Sequence, residues 1–178
     1  AMLAASGLLD LAQPEGSLVM QIGEGEVGRN LNTAVLDRPF DHRSVYLPII
    51  RGIIPEELRL FDFPEPSNVQ GMRDSNTTPT QSLFLMNSPF AMRVADAFAE
   101  RLLNDQSLED DHARVRQAHV ICFGREPSDP QIERDVRYVD ATSRRSAKKS
   151  TPEGEAARMA WTTYCQSLVA SAPFRYID

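Results

Sequence analysis

The chain has 178 residues, 42% of them hydrophobic and 25% charged, with a net charge of −6. That length is most simply one domain, 1–178, with its own core. The acidic balance gives little support to a nucleic-acid role, which needs concentrated Lys and Arg, and no run of about 18 apolar residues is present to span a bilayer.

Taken in chain order, Ala1–Ser6 followed by Gly7 reads as the last turns of a helix, with glycine as its C-cap residue. The opening turns of that helix are missing, so the chain is expected to be a C-terminal fragment of a longer protein. The 12 prolines fall mostly before residue 90. They predict an irregular first part, 1–76, and a helical second part, 77–178. Leu18–Ile22 is short and apolar, which suits a strand. Gly23-Glu24-Gly25-Glu26-Val27-Gly28 matches the letters of a dinucleotide fingerprint, but Glu24 and Glu26 put negative charge where phosphates would sit and no βαβ alternation follows. A surface loop is the better reading.

Val45–Leu47 and Ile49–Ile50 flank Pro48, so any strand there is an edge strand or a broken one. Glu56–Leu60 after Pro55 suits one helical turn, with the proline at its first position. Phe61–Ser67, with Pro64 and Pro66, is expected to be extended. Pro79–Asn87 suits a short helix, and Asn87 or Ser88 caps the next, with Pro89 near its first position.

Beyond that point the apolar periodicity is helical. Ala91, Val94, Ala95, Phe98 and Leu102 form one stripe, opposite Arg93, Asp96 and Glu100. A helix from about Leu108 to Phe123 stops at Gly124 and buries Val115, Ala118, Ile121 and Cys122, with Glu109, Asp110 and Asp111 in its first turn. Ser128 with Gln131, and Pro130 between them, resembles a capping box; Ile132, Val136 and Val139 mark the buried face that follows. The basic run from Arg144 to Lys149 reads as a solvated linker. A last helix starts near Pro152, ends before Pro173, and turns Ala157, Trp161, Tyr164, Cys165, Leu168 and Val169 inward. Phe174, Tyr176 and Ile177 form a tail that folds back on the bundle. The fold class is therefore mainly α: a small bundle of about four to five helices, with a long Pro-rich irregular N-terminal segment packed against it.

Chemistry is sparse. His112 and His119 share a helix face with Cys122 one turn further on. One such pair suits zinc chemically but has no second pair to complete a site, so no metal is expected. No haem-attachment motif is present, and no cofactor is expected in this fragment. There is no G-x-S-x-G elbow. Cys122 and Cys165 sit among apolar neighbours like core thiols, with a disulfide between them left open. Asp62, Glu65 and Asp74 lie among prolines and turn residues. They suit an Arg–carboxylate lattice with Arg43, Arg51, Arg59 and Arg73, or, less readily, calcium. Thr78, Gln81 and Asn87 suit capping, with a binding role as the alternative. The candidate polar cluster is thus Arg43, Asp62, Glu65, Arg73, Thr78, Gln81 and Asn87, and no residue is assigned as catalytic.

Three segments carry a resemblance: Arg43–Arg51, Phe61–Ser67 and Thr77–Asn87. With Ala1–Leu11, Arg114–Pro127 and Trp161–Asp178, they are similar to a planctomycete domain-of-unknown-function family of the PSD type, the C-terminal domain of proteins carrying cytochrome-c-like domains. The resemblance implies an extracytoplasmic location and upstream domains of the same chain as partners, with a polysaccharide or protein as a further partner. It implies no catalytic residues. The function expected is a non-catalytic interaction or scaffold domain. The alternatives are an enzyme active site shared with the upstream domains and a docking partner for a cytochrome domain in electron transfer.

Overall fold

The structure, a computed structural model, describes residues 1–17, 19, 38–49, 54–64, 69, 71, 76, 78–147 and 152–176. They are mainly helical, and among them no strand forms. In chain order the α-helices are α1 (Met2–Ser6), α2 (Glu56–Leu60), α3 (Pro79–Asn87), α4 (Pro89–Leu103), α5 (Asp111–Phe123), α6 (Asp129–Ser146), α7 (Glu153–Ala170) and α8 (Ala172–Arg175). The chain divides into two compact units, one of residues 1–8 and 82–178 and the other of residues 9–81.

The first unit is a helical bundle built around α7, which packs against α4, α5, α6 and α8. Trp161, Tyr164, Cys165, Leu168 and Val169 of α7 meet Phe98 and Leu102 of α4, Val115 and Ala118 of α5, and Ile132 and Val139 of α6 in one buried cluster. The α4 stripe is buried as its spacing predicts, with Ala99 added to it. Ser88 starts that helix by accepting a 3.1 Å bond from the Ala91 N–H, and Pro89 follows where no donor is needed. α5 begins three residues later than expected. Asp110 takes an extended conformation and its Oδ1 accepts the Ala113 N–H at 2.8 Å, so the acid run supplies the cap, while Asp111 keeps the expected first-turn place. Gly124 ends α5 at φ 66, in the left-handed region.

α6 opens on the expected capping box, with Gln131 Oε1 accepting the Ser128 N–H at 2.8 Å. Arg144 and Arg145 belong to its last turn, where the helix dipole favours cations. They are therefore not in a linker, and Lys148 and Lys149 lie outside the described residues. On α7 Ala156 and Ala160 are also buried, while Ala157 is only half-buried. The tail is also more ordered than expected. Ala172–Arg175 is a short helix containing Pro173 at a permitted first-turn position, and Phe174 packs on the core while Tyr176 is exposed.

Three side chains tie the bundle's edges. Arg158 of α7 bonds Asp96 at 3.1 Å and Glu100 at 2.9 Å, so that face of α4 faces α7 as well as solvent. Gln166 donates to the Leu85 and Met86 carbonyls at the end of α3, which have no partner within their own helix. Arg101 Nη1 donates to the Ala4 and Ala5 carbonyls at 3.1 and 2.8 Å, closing the end of α1 above Gly7, whose φ is 81.

The second unit is less regular. An isolated bridge pairs Asp10 with His42. Residues Ser44–Tyr46 form a 3-10 turn. It takes the place of the edge strand considered for that segment, and the Leu47 N–H bonds the Ser44 carbonyl rather than a neighbouring strand. Pro55 is the N-cap of α2, one position earlier than expected. Phe61 and Asp62 are not extended. Asp62 is left-handed at φ 58, and the Phe63 N–H returns to the Leu58 carbonyl at 3.0 Å. This is a Schellman-type helix end with aspartate where glycine is usual. The expected strand at 18–22 and the Gly23–Gly28 loop fall outside the described residues, Val19 excepted.

Candidate functional site

The polar residues singled out in the second unit are mostly engaged with backbone. The Asp62 carboxylate accepts the Asn76 backbone N–H at 2.9 Å and the Asn76 side-chain amide at 3.4 Å. Gln81 is only 2% exposed. Its Nε2 donates to the Leu60 carbonyl at 2.8 Å, and its Oε1 accepts the Thr78 N–H at 3.3 Å. Thr78 Oγ1 in turn accepts the Gln81 N–H at 3.3 Å. Thr78 and Gln81 thus make a reciprocal capping box at the start of α3, a Thr-x-x-Gln pattern legible in the sequence. Asn87, at the other end of α3, is exposed and bonds the Leu83 carbonyl of its own helix at 3.1 Å. Arg43 is exposed at the start of the 3-10 turn. Glu65, Arg73, Asp74 and Arg51 lie outside the described residues.

A different cluster stands out in the helical bundle. His119 of α5, Asp135 of α6 and Tyr164 of α7 meet below the surface, at 6%, 6% and 3% exposure. His119 Nε2 lies 2.9 Å from Asp135 Oδ2, and the Tyr164 hydroxyl donates to the same oxygen at 3.0 Å. The other carboxylate oxygen, Oδ1, accepts Arg134 Nε at 2.9 Å. An ionised carboxylate only accepts, so His119 carries its proton on Nε2. Burial opposes the charge on Asp135. The bonds from His119, Arg134 and Tyr164, with the positive charge of Arg134, outweigh it and hold the carboxyl below its ordinary range. Burial, and then the adjacent Asp135 charge, push the Tyr164 hydroxyl far up, so it stays a donor. Aromatic edges wall the cluster: Phe123 lies T-shaped to His119 at 5.2 Å, and Trp161 T-shaped to Tyr164 at 5.6 Å.

This cluster floors a cleft of about 500 Å³. Arg125 and Ser128, from the turn between α5 and α6, line it together with Ser167 and Ser171 of α7 and its end. Arg134 stands at the mouth, its side chain 64% exposed. Its bond to Asp135 uses Nε alone, and its terminal nitrogens have no partner among the described residues.

Sequence reading placed His119 correctly on a helix face but did not join it to Asp135. The available signal was position: Asp135 falls within the Ile132, Val136 and Val139 stripe, and His119 beside Val115, Ala118 and Cys122. A charged or titratable residue on an apolar stripe announces a buried partner. The two cysteines are free; Cys165 is buried and Cys122 half-buried. Burial pushes the Cys122 thiol up to about 12, away from thiolate reactivity at neutral pH. Among the described residues no group of His, Cys, Asp and Glu is arranged to hold a metal ion, and no helix is long and apolar enough to cross a membrane.

No curated protein and no solved structure matches the chain. A family match covers residues 1–139, which include the whole second unit and, of the bundle, α1 and α3 to α5 with most of α6. The chain belongs to that family, PSD1, described as a protein of unknown function (DUF1553).

Proposed function

We propose that this chain is a non-catalytic interaction domain, a scaffold module of a larger extracytoplasmic protein that carries cytochrome-c-like domains and associates with polysaccharide. The observation that carries this reading is the closure of the His119–Asp135–Tyr164 network. Both oxygens of the buried carboxylate are taken, by His119 and Tyr164 on one and by Arg134 on the other. A carboxylate so occupied orients its neighbours and is a poor base. The capping duties of Thr78 and Gln81 and the turn duty of Asp62 support the same reading, since they are architectural.

Retention of the chain on immobilised polysaccharide, with no product released, is the expected result. Turnover of a glycan or a sulfated substrate by the full-length protein, lost in Asp62→Ala or Arg73→Ala, would sink the proposal. The cleft beside His119 gives one observation in favour of the second reading, an active site completed by upstream domains. In that case turnover would appear only in the full-length protein and would be lost in His119→Gln.

A further inference from the structure

We infer that the cleft over His119, Asp135 and Tyr164 is a binding site for the carboxylate of a sugar acid. This rests on the polysaccharide-associated reading above and names the chemistry its ligand would carry.

The inference starts from Arg134. Guanidinium groups recognise carboxylates through two parallel N–H donors, and they do so best when the fork is already held in place. Arg134 is held through Nε by Asp135 Oδ1 at 2.9 Å, while its terminal nitrogens have no partner among the described residues. Asp135 is itself fixed from behind by His119 and Tyr164. The anchor is therefore buried and the free end of the fork lies at the mouth of the cleft. Arg125 brings a second guanidinium to the same cleft.

The acids present do not cancel this. Asp135 is 6% exposed and its two oxygens are occupied, so it acts on a ligand through the arginine it holds. Glu126 also lines the cleft and is exposed; its carboxylate offers a further acceptor for hydroxyl groups.

The rest of the lining selects for hydroxyls rather than for a bare anion. Ser167 donates to the Tyr164 carbonyl at 2.7 Å and Ser171 to the Leu168 carbonyl at 2.6 Å. With their protons committed, both hydroxyl oxygens remain as acceptors. A ligand that pairs a carboxylate with several O–H donors satisfies both the guanidinium and the serine acceptors of the cleft, and a volume of about 500 Å³ accommodates a sugar ring or two.

The test is calorimetric titration of the 178-residue chain with glucuronate, glucose, acetate and inorganic sulfate. Glucuronate is expected to bind, with glucose and acetate each at least about tenfold weaker, because each lacks one half of the match. Arg134→Ala is expected to weaken glucuronate by about tenfold or more, and Arg134→Lys to recover only part of that, since lysine keeps the charge and loses the fork. Because Arg134 is exposed, both variants should stay folded, with a thermal transition within about 4 °C of the parent's, which is measured alongside.

Glucuronate binding that Arg134→Ala leaves intact would overturn the inference, as would sulfate binding as tightly as glucuronate, or no glucuronate binding at all. If glucuronate fails while a neutral polysaccharide is still retained, the sugar-acid site falls and the interaction-domain reading stands. If glucuronate binds and the full-length protein also turns over a glycan, the reverse holds.

Discussion

Tyr164 and His119 reach the same oxygen of Asp135 from two different helices, at 3.0 and 2.9 Å. Since α5, α6 and α7 each contribute one member, the cluster fixes the register of three helices at once. Removing the acceptor leaves two buried donors stranded. Asp135→Ala is therefore expected to cost about 2–6 kcal/mol, about 1–3 for each stranded donor, and Tyr164→Phe about 1–2 kcal/mol, because Asp135 keeps its other partners. Arg134→Ala should cost under about 1 kcal/mol, as its side chain is 64% exposed. Urea denaturation of the three variants gives the ranking, and an Arg134 effect equal to that of Asp135 would contradict it.

The same network sets opposite pH limits. The Asp135 carboxyl is held below its ordinary 3.8 in the folded chain. Its contribution is complete above that value and is lost as pH falls through the lower folded pKa. For Tyr164 the folded pKa is raised, so its contribution is complete below the ordinary 10.0 and declines as pH rises beyond it. Thermal melts from pH 2 to pH 11 should therefore show a shallower acid limb in Asp135→Asn and a shallower alkaline limb in Tyr164→Phe. Unchanged limbs in both would contradict the linkage.

Cys122 should be slow to alkylate. Its thiol is pushed up to about 12 by burial, and Cys165 is raised too, first by its own burial and then by Cys122. Iodoacetamide at pH 7.5 is expected to leave both unmodified in the native chain and to label both in guanidinium. Rapid stoichiometric labelling of the native protein would show that the thiolate is accessible after all.

Gln81 joins the end of α2 to the start of α3, through the Leu60 carbonyl and the Thr78 N–H. Gln81→Leu is expected to cost about 1–3 kcal/mol by stranding both groups. Gln81→Glu tests the same geometry more sharply. It keeps the acceptor for Thr78 but sets a carboxylate oxygen 2.8 Å from the Leu60 carbonyl, so it should also destabilise. Hydrogen exchange at residues 56–63 is the readout, and protection equal to the parent would refute the bridge.

How far these features were legible in the sequence depended on the range of the interaction. Ser88 and Ser128 cap helices through residues three positions away, so both could be read directly. The α4 stripe likewise needs only its own periodicity. Asp62 was misread because its left-handed turn follows from the Leu58–Phe63 closure, while the neighbouring prolines suggested extension. Asp135 was missed because its partners are 16 and 29 positions away on other helices. Position on an apolar stripe hinted at its burial, but only the packing of α5 and α7 against α6 names the groups it meets.

Arg101 grips the carbonyls of Ala4 and Ala5 from 97 and 96 positions downstream. The bundle is consequently a discontinuous body: residues 1–8 are made well before α4, the helix they dock on, and have no docking surface until it follows. The docking of α1 is a long-range step, and such steps are slow because chain closure precedes any reward. A circularly permuted chain that begins at residue 82, so that 1–8 follow residue 178, would put these partners in a different order of emergence. It offers a direct way to ask whether the first helix is a nucleus for the bundle or its final latch.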